Sequence, residues 1–123
     1  MAGFDRGLLQ RLAQEREVQV RARGRDSSPV DLPIWIVIVD DEPYVRSYRA
    51  ERGAWYRRAR AAGRMTLVVG GQALPVLVRP VGDDEVNRRV SEAFIAKYGN
   101  RGPGRTMVSE AVAATTLRLA PGG

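Results

Sequence analysis

One short segment of the sequence, residues 44–63 (YVRSYRAERGAWYRRARAAG), combines cationic and aromatic side chains at high density. It contains six of the nineteen arginines and four of the six Trp and Tyr residues. The guanidinium group of arginine presents a planar fork of donors that matches phosphate and carboxylate groups. The segment is therefore typical of three different features: a nucleic-acid surface, a cofactor pocket built for phosphate, or a solvated helix.

The first half of this segment, YVRSYR, is predicted to be a strand. Alternation along a strand places Val45, Ser47 and Arg49 on one face, and the apolar Val45 marks that face as the inward one. A hydroxyl and a guanidinium side by side at a strand end form a plausible phosphate site. The alternative is an edge strand whose arginines face solvent and discourage aggregation.

The second half, GAWYRRARAAG, has the composition of a short helix that ends at Gly63. Trp55, Ala59 and Ala62 are expected on its inner face, and Tyr56 is expected to project toward solvent or a ligand together with the arginines. The free N–H groups at the start of this helix, near Gly53, offer a second contact for a phosphate group. The alternative is an ordinary amphipathic helix with a core tryptophan and solvated arginines.

The chain contains neither cysteine nor histidine, which removes several classes of site. Disulfides, thiolate chemistry and sulfur-ligated metals are excluded, and the usual general base near neutral pH is absent. We therefore expect no metal site, and we assign no catalytic residue. The acidic run Asp40-Asp41-Glu42 is interpreted as a solvated hairpin tip, since side chains adjacent in sequence point apart.

A net charge of +6 and a pI of about 10.7 fit a nucleic-acid-binding module. Against that class, the basic residues are spread along the whole chain, and no recognised nucleic-acid-binding motif is present. The sequence also lacks the apolar core of a signal peptide and any run near the roughly 20 apolar residues of a membrane span. We expect a cytoplasmic protein without membrane contact.

Hydrophobic periodicity predicts about six strands and three helices within one domain spanning residues 1–123. A helix is predicted within 1–16, followed by a barrel over 17–120 that includes helices near 53–62 and 83–98. The predicted strands are 17–23, Leu32–Asp40 as a buried central strand, Pro43–Arg49, Arg64–Gly70, Gln72–Val81 and Val112–Leu119. The turn at Gly70-Gly71 makes a hairpin, and NRGPGR is expected to be an irregular loop. The predicted fold is mainly β (α+β), a six-stranded antiparallel split β-barrel with flanking helices.

Five short motifs, in this order and spacing, carry a resemblance that covers most of the chain from about residue 17 onward. They are Pro33-Ile34-Trp35, Tyr44-Val45-Arg46-Ser47, Trp55-Tyr56-Arg57-Arg58, Lys97-Tyr98-Gly99 and Thr116-Leu117-Arg118-Leu119. The sequence resembles the flavin-binding split β-barrel clan, which includes the pyridoxamine phosphate oxidases and the deazaflavin-dependent nitroreductases. Within that clan it is similar to an uncharacterised bacterial family, the domain of unknown function 2255.

This resemblance implies a homodimer that binds FMN or a deazaflavin coenzyme in a groove at each dimer interface. It implies a small oxidoreductase in which the cofactor supplies the redox chemistry and the substrate is a small organic molecule. The implied cofactor-binding residues are Arg46, Ser47, Tyr48, Arg49, Trp55, Tyr56 and Arg57. Deazaflavin relatives carry Lys at the position of Tyr48 and Asn-Leu at Arg57-Arg58, so the choice between the cofactors stays open. The alternative is an interaction dimer of the same fold that has lost its cofactor.

Overall fold

The computed structural model describes residues 3–23, 26 and 28–122. Over these residues the chain forms five α-helices and seven strands. The helices are α1 (Arg6–Gln14), α2 (Ala54–Ala62), α3 (Asp84–Tyr98), α4 (Pro103–Met107) and α5 (Glu110–Ala113). The strands are β1 (Val18–Arg23), β2 (Pro29–Ile34), β3 (Ile36–Val39), β4 (Glu42–Val45), β5 (Arg64–Val69), β6 (Gln72–Pro80) and β7 (Leu117–Pro121). No helix in this part of the chain is both long and apolar enough to cross a membrane.

All seven strands belong to one antiparallel sheet with the order β2-β1-β5-β6-β7-β4-β3. The two ends of this order, β2 and β3, are consecutive in the chain and are separated only by Trp35. The sheet is therefore curled, as a half-barrel, and its concave face holds one apolar cluster covered by α1 and α2. A second apolar cluster lies between the β3–β4 pair and helices α3, α4 and α5.

The mainly β class, the antiparallel pairing and the flanking helices are confirmed, but the predicted strand number of six is wrong. The run Leu32–Asp40 is two strands at opposite ends of the sheet rather than one central strand. The break at Trp35 is stabilised from α3, because the Trp35 ring stacks on Tyr98 with centroids 4.0 Å apart. The hydroxyl of Tyr98 also accepts a hydrogen bond of 3.1 Å from the Ile36 N–H.

Two further predicted strands differ from the structure. The strand predicted over Pro43–Arg49 ends at Val45, because the next backbone N–H groups bond outside the sheet, beginning with Ser47 N–H to Thr115 Oγ1 at 2.9 Å. The predicted alternation of side chains from residue 46 onward is therefore wrong. The predicted strand Val112–Leu119 is instead the end of α5 followed by β7, and the NRGPGR loop contains most of α4.

The elements with strong local signals are confirmed. Asp83 caps α3 by accepting a 2.9 Å hydrogen bond from the Val86 N–H, as expected for an acidic residue at a helix start. The β5–β6 hairpin turns at Gly70 and Gly71, which have φ of 58° and 82°. These left-handed angles are the reason that glycine occupies both turn positions.

Helix α1 is tied to the rest of the molecule by the end of α3. The ammonium group of Lys97 donates to the carbonyl oxygens of Leu12 (3.1 Å) and Ile36 (2.7 Å). The hydroxyl of Tyr98 donates to the carbonyl oxygen of Arg16 at 2.8 Å. Burial lowers the pKa of Lys97 to about 8 and raises the pKa of Tyr98 to about 12, since both charged forms would be poorly solvated there.

Candidate functional site

The chain between β4 and α2 places several of the predicted site residues beside the end of β2. β4 ends at Val45, and residues 46–53 lead through a short 3-10 turn (Ala50–Arg52) into α2. The turn is closed by hydrogen bonds from Ala50 N–H to Ser47 C=O (2.9 Å) and from Gly53 N–H to Ala50 C=O (3.2 Å). This tight path places Ser47 directly against the beginning of α2.

Arg46 is buried, with an exposed fraction of 1%, and its guanidinium is held by protein groups. It donates to Thr116 Oγ1 (2.8 Å), Ser91 Oγ (2.9 Å) and the carbonyl oxygens of Met107 (2.9 Å) and Asn87 (3.0 Å). All four acceptors are neutral. Burial lowers the pKa of Arg46 to about 10, so the side chain still carries its charge at neutral pH. A cofactor contact of Arg46 stays a prediction, and the structure shows four of its five N–H groups already bonded.

Ser47 is equally buried, but its hydroxyl lacks a hydrogen-bond partner among the described residues. Its Oγ faces Gly53, because a Cβ added to Gly53 would lie 2.2 Å from that oxygen. Gly53 is the N-cap of α2, and no side chain caps this helix. The first N–H groups of an α-helix have no intrahelical acceptor, so this end attracts anions. An unpartnered hydroxyl and an uncapped helix start therefore lie together.

Two adjoining cavities open at this place. The first, which we call the serine cavity, has a volume of about 340 Å³. It is lined by Leu32, Pro33, Ser47, Tyr48, Arg49, Gly53, Ala54 and Trp55. The second, which we call the tryptophan cavity, has a volume of about 160 Å³. It is lined by Glu17, Pro33, Ile34, Trp35, Arg46, Tyr48, Trp55, Pro103 and Met107.

Five of the seven predicted cofactor residues line these cavities, and Tyr48 and Trp55 border both. Tyr48 is 54% exposed, and Trp55 is half-buried. The other two, Tyr56 and Arg57, line neither cavity. Tyr56 is 2% exposed, and its hydroxyl accepts a 2.9 Å hydrogen bond from Arg60. The expectation that Tyr56 projects outward is wrong, since it packs in the core with Ala59.

Sequence reasoning did not select the residues that form the far wall of the tryptophan cavity, Trp35 and the α4 residues Pro103 and Met107. A tryptophan inside a run of β-branched residues was the available signal for the first. The position of α4 had no local signal, because it depends on Met107 C=O accepting from Arg46, 61 residues away in sequence.

The acidic hairpin tip behaves as expected for a solvated turn. Asp40 and Asp41 have φ of 51° and 63°. Asp40 pairs with Arg89, and this contact lowers the pKa of the Asp40 carboxyl. The Oε1 atom of Glu42 lies 3.7 Å from the Nε atom of Arg118. Each of these two carboxylates is thus directed at an arginine on a neighbouring element.

Residues 8–119 match the model of a family described as uncharacterized protein conserved in bacteria, DUF2255. This match spans most of the sequence, so the chain belongs to that family. Comparison with curated proteins finds no significant match.

Three solved structures share the fold. The conserved hypothetical protein Rv2991 of Mycobacterium tuberculosis is 14% identical with a TM-score of 0.61, over 97% of this chain and 80% of the other. A candidate 5-nitroimidazole antibiotic resistance protein of Bacteroides thetaiotaomicron is 12% identical with a TM-score of 0.61, over 98% and 81%. Campylobacter jejuni ChuZ is 10% identical with a TM-score of 0.64, over 94% of this chain and 50% of its own. At these identities the likeness concerns the fold.

Proposed function

We propose that this chain binds a flavin-type cofactor, FMN or a deazaflavin coenzyme, and that it acts as a small oxidoreductase on a small organic substrate. The observation that carries the proposal is the buried, unpartnered hydroxyl of Ser47 against the uncapped start of α2. A buried hydroxyl without a partner costs about 1–3 kcal/mol, so a ligand oxygen at this place offsets a real penalty. Among the groups that a flavin carries, phosphate is the one that a helix start favours.

The residues around the serine cavity fit such a phosphate group. Arg49 is exposed beside Ser47, and none of the described carboxylates forms an ion pair with it. Tyr48 and Trp55 then form the boundary with the tryptophan cavity, where a flat ring would pack on aromatic surface. Arg46 contributes indirectly, because its hydrogen bond to Met107 C=O positions α4 at the far wall of the tryptophan cavity.

In this proposal the cofactor, when bound, supplies hydride or electron transfer, and the protein supplies binding, orientation and exclusion of water. The Bacteroides protein of similar fold is a candidate 5-nitroimidazole antibiotic resistance protein. A 5-nitroimidazole is a small ring compound with a reducible nitro group, so this likeness supports a proposed substrate of that kind. The two cavities measure about 340 and 160 Å³, so together they fall within the roughly 300–1,000 Å³ that is usual for drug-sized ligands. Tyr48 borders both cavities and is 54% exposed, so in this proposal a second chain closes the groove over the cofactor.

The cofactor proposal is tested by titrating the protein with FMN, the deazaflavin coenzyme and riboflavin, and following cofactor fluorescence. We expect Ser47→Ala to weaken binding of the phosphate-bearing cofactor by about 10- to 100-fold, the equivalent of one hydrogen bond to a charged group. Riboflavin lacks the phosphate, so its weaker binding is expected to be the same in both proteins. Ser109→Ala is the matched control, because Ser109 is exposed and lies outside both cavities.

This titration distinguishes between the cofactor proposal and the alternative of an interaction dimer. Binding of one cofactor with loss in Ser47→Ala identifies the cofactor and supports the phosphate site. Equal loss of FMN and riboflavin binding would contradict the phosphate position. Absence of binding to every flavin removes the redox proposal and leaves an interaction dimer of the same fold.

The proposed homodimer has a candidate surface beside the serine cavity. Strand β2 is at the end of the sheet order, and its Val30 and Leu32 are each 37% exposed. Leu32 also lines the serine cavity, so a second copy covering these side chains would enclose the cofactor groove. We expect Leu32→Glu to lower the sedimentation coefficient to that of a monomer and to weaken FMN binding at the same time.

The matched control for the dimer is Ile95→Glu, which introduces the same charge at a 36% exposed apolar residue on α3. This variant is expected to sediment like the unmodified protein. If Leu32→Glu sediments unchanged, or if both variants dissociate alike, β2 does not form the interface.

A further inference from the structure

The net charge of the chain is concentrated in one short segment. Residues 46–64 contain seven of the twenty basic residues and only one of the fourteen acidic ones, so their net charge equals the +6 of the whole chain. The remaining residues contain thirteen basic and thirteen acidic side chains and are neutral as a set. The basic residues are spread along the sequence, but outside this segment the acidic residues balance them in total.

Six of the seven arginines in this segment are exposed, and we call them the arginine face. They are Arg49, Arg52, Arg57, Arg58, Arg60 and Arg64. No carboxylate within residues 3–23, 26 and 28–122 forms an ion pair with any of them. By contrast, Arg21, Arg88, Arg89 and Arg118 on other elements each have an acidic partner. The arginine face is therefore a surface of uncompensated positive charge.

The orientation of α2 keeps this charge on the outside. The helix packs on β1, β5 and β6 through its buried residues Tyr56 and Ala59. Because successive residues of a helix are rotated by about 100°, Arg57 and Arg58 project away from the sheet and Arg60 lies at one side. Arg64 is the first residue of β5 and lines a surface groove together with Ala62 at the end of α2.

The chemistry of this surface distinguishes among anionic partners. The other exposed positions of α2 are all alanines, at residues 54, 61 and 62. A helix that binds an anionic membrane needs large apolar side chains to enter the headgroup region, and α2 has none on its exposed side. A phosphodiester backbone requires only cations, and the arginine fork matches its oxygens. At one end of the face, the 54% exposed ring of Tyr48 adjoins Arg49 and offers a stacking surface for a base.

We propose that the arginine face binds single-stranded nucleic acid through its phosphate backbone, without sequence specificity. This surface adjoins the cofactor site and shares Tyr48, Arg49 and Arg57 with it, but the proposal rests on the outer side of α2 and on the 3-10 turn rather than on Ser47. The surface has no element suited to reading base edges in a groove, so the affinity comes from charge neutralisation and depends strongly on salt.

The test is the binding of a short fluorescein-labelled single-stranded DNA of mixed sequence, measured by anisotropy over a series of salt concentrations. The logarithm of the binding constant is expected to fall linearly with the logarithm of salt, by about 0.7 per phosphate contact. A triple variant, Arg52→Gln/Arg58→Gln/Arg64→Gln, loses three phosphate contacts. The slope of the logarithm of the binding constant against the logarithm of salt is therefore expected to decrease in magnitude by about 2. None of these three residues belongs to the proposed cofactor site.

The matched control is Arg79→Gln/Arg101→Gln/Arg105→Gln, which removes the same charge from three exposed arginines elsewhere. Its slope is expected to stay close to that of the unmodified protein, and urea unfolding checks that both variants are folded. The proposal is overturned if both variants lose affinity equally, or if the protein does not bind the oligonucleotide at low salt. Binding to phosphatidylserine vesicles without binding to the oligonucleotide also overturns it. These outcomes are independent of the flavin titration.

Discussion

Replacement of Arg46 by methionine is expected to lower the free energy of unfolding by about 3–5 kcal/mol, as for the loss of one partner from a buried polar network. Methionine has a comparable length and fills most of the space, but it donates no hydrogen bond. Four acceptors lose the donor that they share: Thr116 Oγ1, Ser91 Oγ, Met107 C=O and Asn87 C=O. The bonds to Thr116 Oγ1 and Met107 C=O are buried, and the loss of each costs about 1–3 kcal/mol, whereas the other two are partly open to solvent and cost less.

Two further variants make this prediction specific. Arg79→Met changes an exposed arginine and is expected to alter the free energy of unfolding by no more than about 0.5 kcal/mol. Arg46→Lys keeps the charge but has only three donors, so its free energy of unfolding is expected to lie between those of Arg46→Met and Arg79→Met. Urea unfolding followed by tryptophan fluorescence measures all three. If Arg46→Met is no less stable than Arg79→Met, the guanidinium does not join these elements.

The four partners of Arg46 also explain why it differs from the other arginines of the segment. They lie on α3, on α4 and just before β7, so one side chain joins three elements to the end of β4. The guanidinium additionally lies over the Phe94 ring, 5.4 Å from its centroid. We infer that Arg46 sets the distance between β4 and α4, and with it the width of the tryptophan cavity.

Local signals predicted those parts of the fold that are determined by local chemistry. The Gly70-Gly71 turn requires left-handed angles that glycine adopts readily, and the helix predicted near 83–98 begins at a local side-chain cap, Asp83. These features depend on residues a few positions apart. They were therefore readable from sequence, and the structure confirms them.

The errors arose where a distant residue decides the local conformation. The strand run 32–40 breaks at Trp35 because Tyr98, more than 60 residues later, stacks on the ring and bonds the next backbone N–H. β4 stops before Arg46 because Thr115 and Thr116 supply acceptors 68 and 70 residues away. Period-2 alternation has no information on such partners, so it assigned Arg46 and Ser47 to opposite faces while the structure buries both.

The close approach of Ser47 to the start of α2 leads to the second large effect, at Gly53. Its φ of −63° is accessible to any residue, so glycine is required for space and not for conformation. A Cβ at this position would lie 2.2 Å from Ser47 Oγ, whereas its next contacts are at 3.5 Å. Gly53→Ala is therefore expected to destabilise the protein by about 1–3 kcal/mol, the usual cost of overpacking.

The same geometry predicts that a second substitution restores the stability. In Ser47→Ala/Gly53→Ala the overlapping oxygen is absent, and the remaining contact between the two positions is an ordinary one of 3.5 Å. Ser47→Ala alone is expected to be neutral or to stabilise by about 1 kcal/mol, because it removes a buried hydroxyl without a partner. Urea unfolding of the four proteins then gives a coupling free energy of about 1–3 kcal/mol between the two sites.

Gly82→Ala is the control for the cycle, since an added Cβ at Gly82 meets no atom within 4 Å and the backbone is not left-handed there. The effects of Gly82→Ala and Ser47→Ala on the free energy of unfolding are expected to be additive. Additivity between Ser47→Ala and Gly53→Ala as well would mean that the hydroxyl does not face the helix start.

The double variant also separates packing from binding. It restores the stability without the hydroxyl, so it is expected to bind a phosphate-bearing flavin as weakly as Ser47→Ala does. Recovery of tight FMN binding in that variant would assign the phosphate site to the helix start alone.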